Sequence, residues 1–299
     1  MTLGLCRRSC RDRRAVPIEG TGVRRVPLYT RFATMTTLSV SNTLGQIPLA
    51  EREQYFLMPH CYVCAAADGI IALDTRHDEY LGFTTEDAQV LTGTVTDWPQ
   101  CPTRLLPGGM SAPDSPQKES AVPPIADQLC DRQLITPYAW RGKPATPARI
   151  PHPHSIVHAD FVDTWPKVNA NHIVNVLRAC VWAAASLRWR GLEYVIEHAR
   201  HRKRTRANAA RTNNPMNPSS SDLVLIYQQV RTFVFTARDR CLLDSLALTD
   251  LLATYGYYPS WIIAVRTKPF GAHSWVQDGN TVLNSPLATA LEFTPIVVI

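Results

Sequence analysis

The stretch from Asp239 to Asn284 constrains the fold most. It reads D-R-C-L-L-D-S-L-A-L-T-D-L-L, then Y-G-Y-Y-P-S-W-I-I-A-V-R-T, then F-G-A-H-S-W-V-Q-D-G-N-T-V-L-N. Leu242, Leu246, Leu248, Leu251, Leu252 and Tyr255 form an apolar stripe at helical spacing, which predicts a buried helix. Asp239 is the expected N-cap of a helix beginning at Arg240, and Gly256 the residue that ends it. Trp261 to Val265 and Ser274 to Gln277 are β-rich runs, and Asp278-Gly279-Asn280 turns the second into a strand over Thr281 to Leu283. Cys241 then falls in the first turn of the helix, where unpaired backbone N–H groups and the helix dipole favour a thiolate. His273 falls at the start of a hairpin. A thiol nucleophile needs a base to exchange protons with, so this order predicts thiol hydrolase or acyl-transfer chemistry.

The remainder of the chain divides by composition. Residues 1–50 are Arg-rich at the front and polar afterwards, without periodicity, and are expected to be disordered. Met35 offers a second start for the chain, and an Arg-rich targeting segment is the rival reading of residues 1–34. Those 34 residues carry eight Arg, one Asp and one Glu. They therefore hold the whole formal charge of +6. The rest is close to neutral, which argues against a nucleic-acid partner. No apolar run approaches the ~18 residues of a membrane-spanning helix, and no secretory signal is visible. A cytoplasmic location with reduced thiols is expected.

Residues 52–136 read as one small domain. Tyr62 to Ala66 and Ile70 to Leu73 are strands joined at Asp68-Gly69, Glu79 to Gly82 is a third, and a helix opens at Thr84 or Thr85. Ile125 to Leu134 is a second helix after a Pro- and Gly-rich loop. Three strands with a few helices suggest a winged-helix-like module. Residues 137–155 carry five prolines and are expected to form a stiff, extended linker. Residues 156–299 form the second domain. It has helices over Val168 to Trp189, Leu192 to Arg202 and Asp222 to Thr236, then the opening stretch, and a final apolar strand from Pro295 to Ile299. The basic run from Arg202 to Arg206 reads as a solvated loop.

Metal binding is not expected. Cys61 and Cys64 have zinc-ligand spacing, but no second pair completes four ligands, and buried strand cysteines are the simpler reading. His152 and His154, with His158 nearby, could be read as a cluster, but a proline-separated pair does not converge like an i, i+4 helix pair. No Walker loop or G-x-G-x-x-G is present, so no cofactor is expected.

The blocks R-C-L-L-D-S-L-A-L, V-R-T-K-P-F-G-A-H-S-W-V-Q, V-L-N and F-T-P-I-V-V resemble the leader peptidases of lasso-peptide biosynthesis, the B proteins. The resemblance is dense over 235–299. It implies a transglutaminase-like, papain-like cysteine peptidase domain with a Cys-His-Asp triad. Such a peptidase removes the leader of a ribosomally made precursor before a separate ATP-using lasso cyclase closes the ring. Cys241 matches the nucleophile and His273 the base. The Asp position holds Ser285, a departure. Asn284 is the expected substitute for orienting the ring, with Asp278 a weaker one. The segment Y-V-C-A-A-A-D-G-I-I-A-L-D-T-R-H-D-E-Y-L-G-F is similar to PqqD-like leader-recognition elements. That likeness implies that a leader strand adds beside Glu79 to Gly82 and rests on Ile125 to Leu134, with Tyr80, Leu81, Ile125 and Leu129 as contacts. The expected fold class is thus α+β, a PqqD-like domain followed by a transglutaminase-like one. The alternatives are a non-catalytic precursor-binding scaffold and a winged-helix DNA regulator, the latter disfavoured by charge.

Overall fold

The computed structural model describes residues 36–38, 54–100, 124–157, 165–206, 218–236 and 240–299. An antiparallel meander comes first: β3 (Cys61–Ala66), β4 (Gly69–Asp74) and β5 (Glu79–Phe83). β1 (Thr36–Leu38) lies parallel to β5 at the sheet edge, giving the order β1-β5-β4-β3. A strand therefore falls within the segment expected to be disordered, and it pairs with the edge expected to receive a leader. Two short strands, β2 (Phe56–Leu57) and β6 (Ile135–Thr136), pair beside this sheet.

Helix α1 (Thr85–Thr94) starts as the sequence predicts, because the Thr84 hydroxyl accepts the Asp87 N–H. Helix α2 (Pro124–Asp131) is shorter than expected. Gln133 takes a left-handed φ of 57°, and the Leu134 N–H donates to Leu129 O at 2.8 Å. This bond closes the helix in a Schellman-type end and frees Ile135 for β6.

The second sheet runs β11-β8-β9-β10-β7, from β7 (Ser155–Ile156), β8 (Ser260–Arg266), β9 (Gly271–Asp278), β10 (Thr281–Val282) and β11 (Thr294–Val298). β8 and β9 are antiparallel, with Ala264 opposite His273. Gly279, at φ 55°, makes the tight turn from β9 into β10. The proline-rich segment does not merely link: its last residues add β7 to this sheet, parallel to β10.

Four helices cover one face. They are α3 (Ala170–Trp189), α4 (Gly191–Arg206), α5 (Ser220–Arg231) and α6 (Cys241–Thr254). Asn169 and Ser219 close capping boxes on α3 and α5. The leucines of the α6 stripe are buried as their spacing predicts, Tyr255 is half-buried, and Gly256 ends that helix at φ 84°. A short helix α7 (Leu287–Glu292) precedes β11. The basic run lies in α4 rather than in a solvated loop. Arg202 bonds Asp250, and Lys203 donates to Ile299 O at 3.2 Å, so two of its cations tie α4 to neighbouring elements.

The two sheets share a core. One face of the first sheet packs on α1 and α2, through residues such as Val63, Ala72, Leu81, Leu91 and Leu129. The other face supplies Cys64, Ala66, Ile71, Leu73 and Tyr80 to the core built by α3 to α6 and the second sheet. Every residue of β4 is buried, which accounts for its nearly unbroken apolar run. Polar pairs frame the junction: Arg76 with Glu193 at 3.3 Å, and Asp68 with Thr267 at 3.0 Å and Lys268 at 3.3 Å.

Candidate active site

Cys241 is the first residue of α6. The helix begins one residue later than the sequence suggests. Arg240 occupies the N-cap position without a side-chain cap bond, and the expected cap, Asp239, lies outside the described residues. The helix is held instead by burial and by Asp244 N–H donating to Arg240 O at 2.9 Å. Burial pushes the Cys241 thiol up, while the backbone N–H groups of Ser274, Leu242 and Cys241 itself favour the thiolate. Those donors show that the sulfur sits between the start of α6 and strand β9.

His273 lines the same cleft from β9, together with Ala272 and Ser274. Its ring stacks on Trp275 at 6.0 Å and tilts against Phe293 at 5.4 Å. Burial first, and the Arg266 guanidinium second, push its pKa down to about 4. The resting imidazole is therefore neutral, and the resting thiol is protonated. That pair can act by general-base transfer and is not poised as a preformed ion pair.

Ser285 holds the imidazole: its hydroxyl lies 2.8 Å from His273 Nε2. Asn284, expected in that role, is engaged elsewhere. Its Oδ1 accepts the Val276 N–H at 2.8 Å, and its amide donates to Asp244 Oδ2 at 2.7 Å and Ser245 Oγ at 3.1 Å. Asn284 thus ties β9 to α6 and fixes the spacing of the histidine strand from the cysteine helix. Asp278 ends β9, five positions beyond His273. A serine hydroxyl can donate or accept, so Ser285 bonds either imidazole tautomer. A carboxylate would select Nε2–H and stabilise the imidazolium, and Ser285 lacks that charge.

Asp244 was not singled out by the sequence. It is buried, and burial raises its pKa against the pull of Arg231, Asn284 and Tyr227. Arg231 Nε stands 3.2 Å from its Oδ1, as an ion pair without an aligned hydrogen bond, and the Tyr227 hydroxyl donates to it at 3.0 Å. The D-x-x-x at one helical turn past the cysteine was the available signal.

The cleft has a volume of about 1030 Å³. α3 and the α5–α6 connection line it with Val181, Leu187, Trp189, Val234 and Phe235, and Arg188 and Arg240 bring positive charge. The first sheet contributes Tyr80. This residue was expected to contact a leader at the sheet edge. Instead its ring packs edge-on against Phe270 at 5.5 Å, and among the described residues its buried hydroxyl has no hydrogen-bond partner. Leu81, Ile125 and Leu129 are likewise buried, in the first sheet's own core. Among the described residues, none of the three side chains that cluster as potential metal ligands lines the cleft.

No helix of the described residues is long and apolar enough to cross a membrane. No curated protein and no solved structure matches the chain. Residues 174–298 match the family described as the transglutaminase-like superfamily, so the helix-borne thiol and the strand-borne imidazole stand in a transglutaminase-like domain.

Proposed function

We propose that this protein is a cysteine peptidase that removes the leader of a ribosomally made lasso-peptide precursor, ahead of ring closure by a separate ATP-using cyclase. The transglutaminase-like superfamily includes cysteine peptidases. The observation that carries the reading is the convergence of Cys241, at the open end of a buried helix, and His273, held by Ser285, on one large cleft. The resemblance of the 235–299 blocks to B proteins supplies the substrate class.

In this mechanism neutral His273 takes the Cys241 proton as sulfur attacks the scissile carbonyl. The N–H groups at the start of α6 face the sulfur and stabilise the oxyanion. The imidazolium then protonates the leaving amine, and water hydrolyses the thioester through the same base. The precursor reaches the cleft after its leader docks on the N-terminal part of the protein.

The test is mass spectrometry of the precursor encoded beside this protein, incubated with wild type and with Cys241→Ala, each with and without the cyclase. A leader-sized loss confined to wild type is expected. Ser285 favours a second reading, in which the domain binds the precursor without cutting it. Leader binding without cleavage under any condition would select that scaffold.

A further inference from the structure

A second cluster of reactive side chains lies at the open end of the β3–β4 hairpin. Cys61 opens β3 and sits directly opposite Asp74, which closes β4. His60 precedes Cys61. One ligand atom from each of the three lies within 4.8 Å of the others, and all three residues are buried. The His60 side chain is 1% exposed, yet among the described residues neither of its ring nitrogens has a hydrogen-bond partner. A buried polar atom without a partner keeps its full desolvation cost, so two on one ring call for a ligand. His60 Nε2 is 3.8 Å from Asp74 Oδ1. That is too long for a hydrogen bond, and close to the ~3.3 Å that separates two ligands bound at ~2.0–2.1 Å to one tetrahedral ion.

We propose that His60, Cys61 and Asp74 bind a divalent transition-metal ion of the zinc class, which pins the open end of the hairpin. Imidazole, thiolate and carboxylate are the donors a borderline-soft ion takes, and two anionic ligands neutralise its charge in the buried site. The outer contacts that hold a ligating carboxylate are already in place. Asp74 Oδ1 accepts the Arg76 N–H at 2.9 Å, and its Oδ2 lies 2.6 Å from His77 Nδ1. Cys61 ligates as the thiolate, so its thiol proton must leave. Binding forms the metal–sulfur bond and releases that proton to solvent. Sequence spacing alone paired Cys61 with Cys64, which belongs to the other face of the sheet and the other core.

The experiment titrates Co(II), and then Zn(II), into the reduced, chelator-treated full chain. One equivalent of Co(II) is expected to give a thiolate-to-cobalt charge-transfer band that Zn(II) removes. Cys61→Ser should abolish the band, and Cys241→Ser should leave it intact. His77→Ala should weaken binding ~10-fold, as expected for a partner that only holds a ligand. A variant that misfolds is bypassed by wild type itself, whose melting temperature must rise with Zn(II). No band and no rise would mean that His60 and Asp74 are simply a buried polar pair. A band lost in Cys241→Ser and kept in Cys61→Ser would place the metal at the cleft. Either result overturns the proposal.

Discussion

Replacing Ser285 with Asp should activate Cys241, and the size of the effect can be worked out from the His273 environment. Burial and Arg266 take the imidazole from 6.5 down to about 4. That difference corresponds to roughly 3 kcal/mol against the charged ring. Ser285 lies 2.8 Å from Nε2 and supplies no charge to offset it. A carboxylate within ~4–6 Å moves a neighbouring pKa by about 1 to 3 units. Arg266 would share the new charge, so we take the low end: the thiolate–imidazolium pair becomes about tenfold more populated. The assay needs no substrate. Iodoacetamide alkylation of Cys241, located by peptide mass mapping, should run about tenfold faster at pH 6 in Ser285→Asp than in wild type. Ser285→Ala should change it less than about threefold. The acid limb of the pH–rate profile should also move to higher pH, because a more basic imidazole is protonated sooner. Equal alkylation rates in a variant with native melting behaviour would refute the reasoning. So would a His273→Ala variant that alkylates like wild type.

Other outcomes follow from the same contacts. Asp244→Ala strips the carboxylate from Arg231, Tyr227 and Asn284, and urea denaturation should show a loss of about 3 to 5 kcal/mol. Tyr80→Phe removes an unpartnered buried hydroxyl, so it should unfold no earlier than wild type and up to about 1 kcal/mol later. The folded-state pKa of His273 lies below its unfolded value, so its neutral form stabilises the fold fully above about pH 6.5. That contribution drains away as pH falls toward 4, by up to about 3 kcal/mol in total. Comparing pH-dependent melting of wild type and His273→Gln isolates it, and parallel curves would contradict it.

The parts of the molecule legible in the sequence are those fixed by local pattern. The α6 stripe, the β8 and β9 runs and the Asp278-Gly279-Asn280 turn each carry their own periodicity or turn chemistry, and the helix and strand they define bring Cys241 and His273 to one cleft. The departure at Ser285 was visible, but its partner was misassigned. Asn284 and Ser285 are adjacent and both polar, and only the register of β10 against β9 decides which one faces the imidazole. β1, β2, β6 and β7 are two or three residues long, and their strand character comes from distant partners. Tyr80 was placed at a sheet edge because a sequence does not reveal which face of a strand a second module will cover. The unbroken I-I-A-L of β4 did signal burial on both faces, a pattern that suits a strand in the middle of three layers.

That doubly covered strand bears on how the protein can be handled. Severing the chain within the proline-rich segment would leave each fragment with a bare apolar face, one with Ile71, Leu73 and Tyr80, the other with their helical counterparts. Such halves are poor candidates for separate expression. Supplied together they would behave as a fragment-complementation pair, whose recovered activity depends on concentration and reports directly on the seam between them.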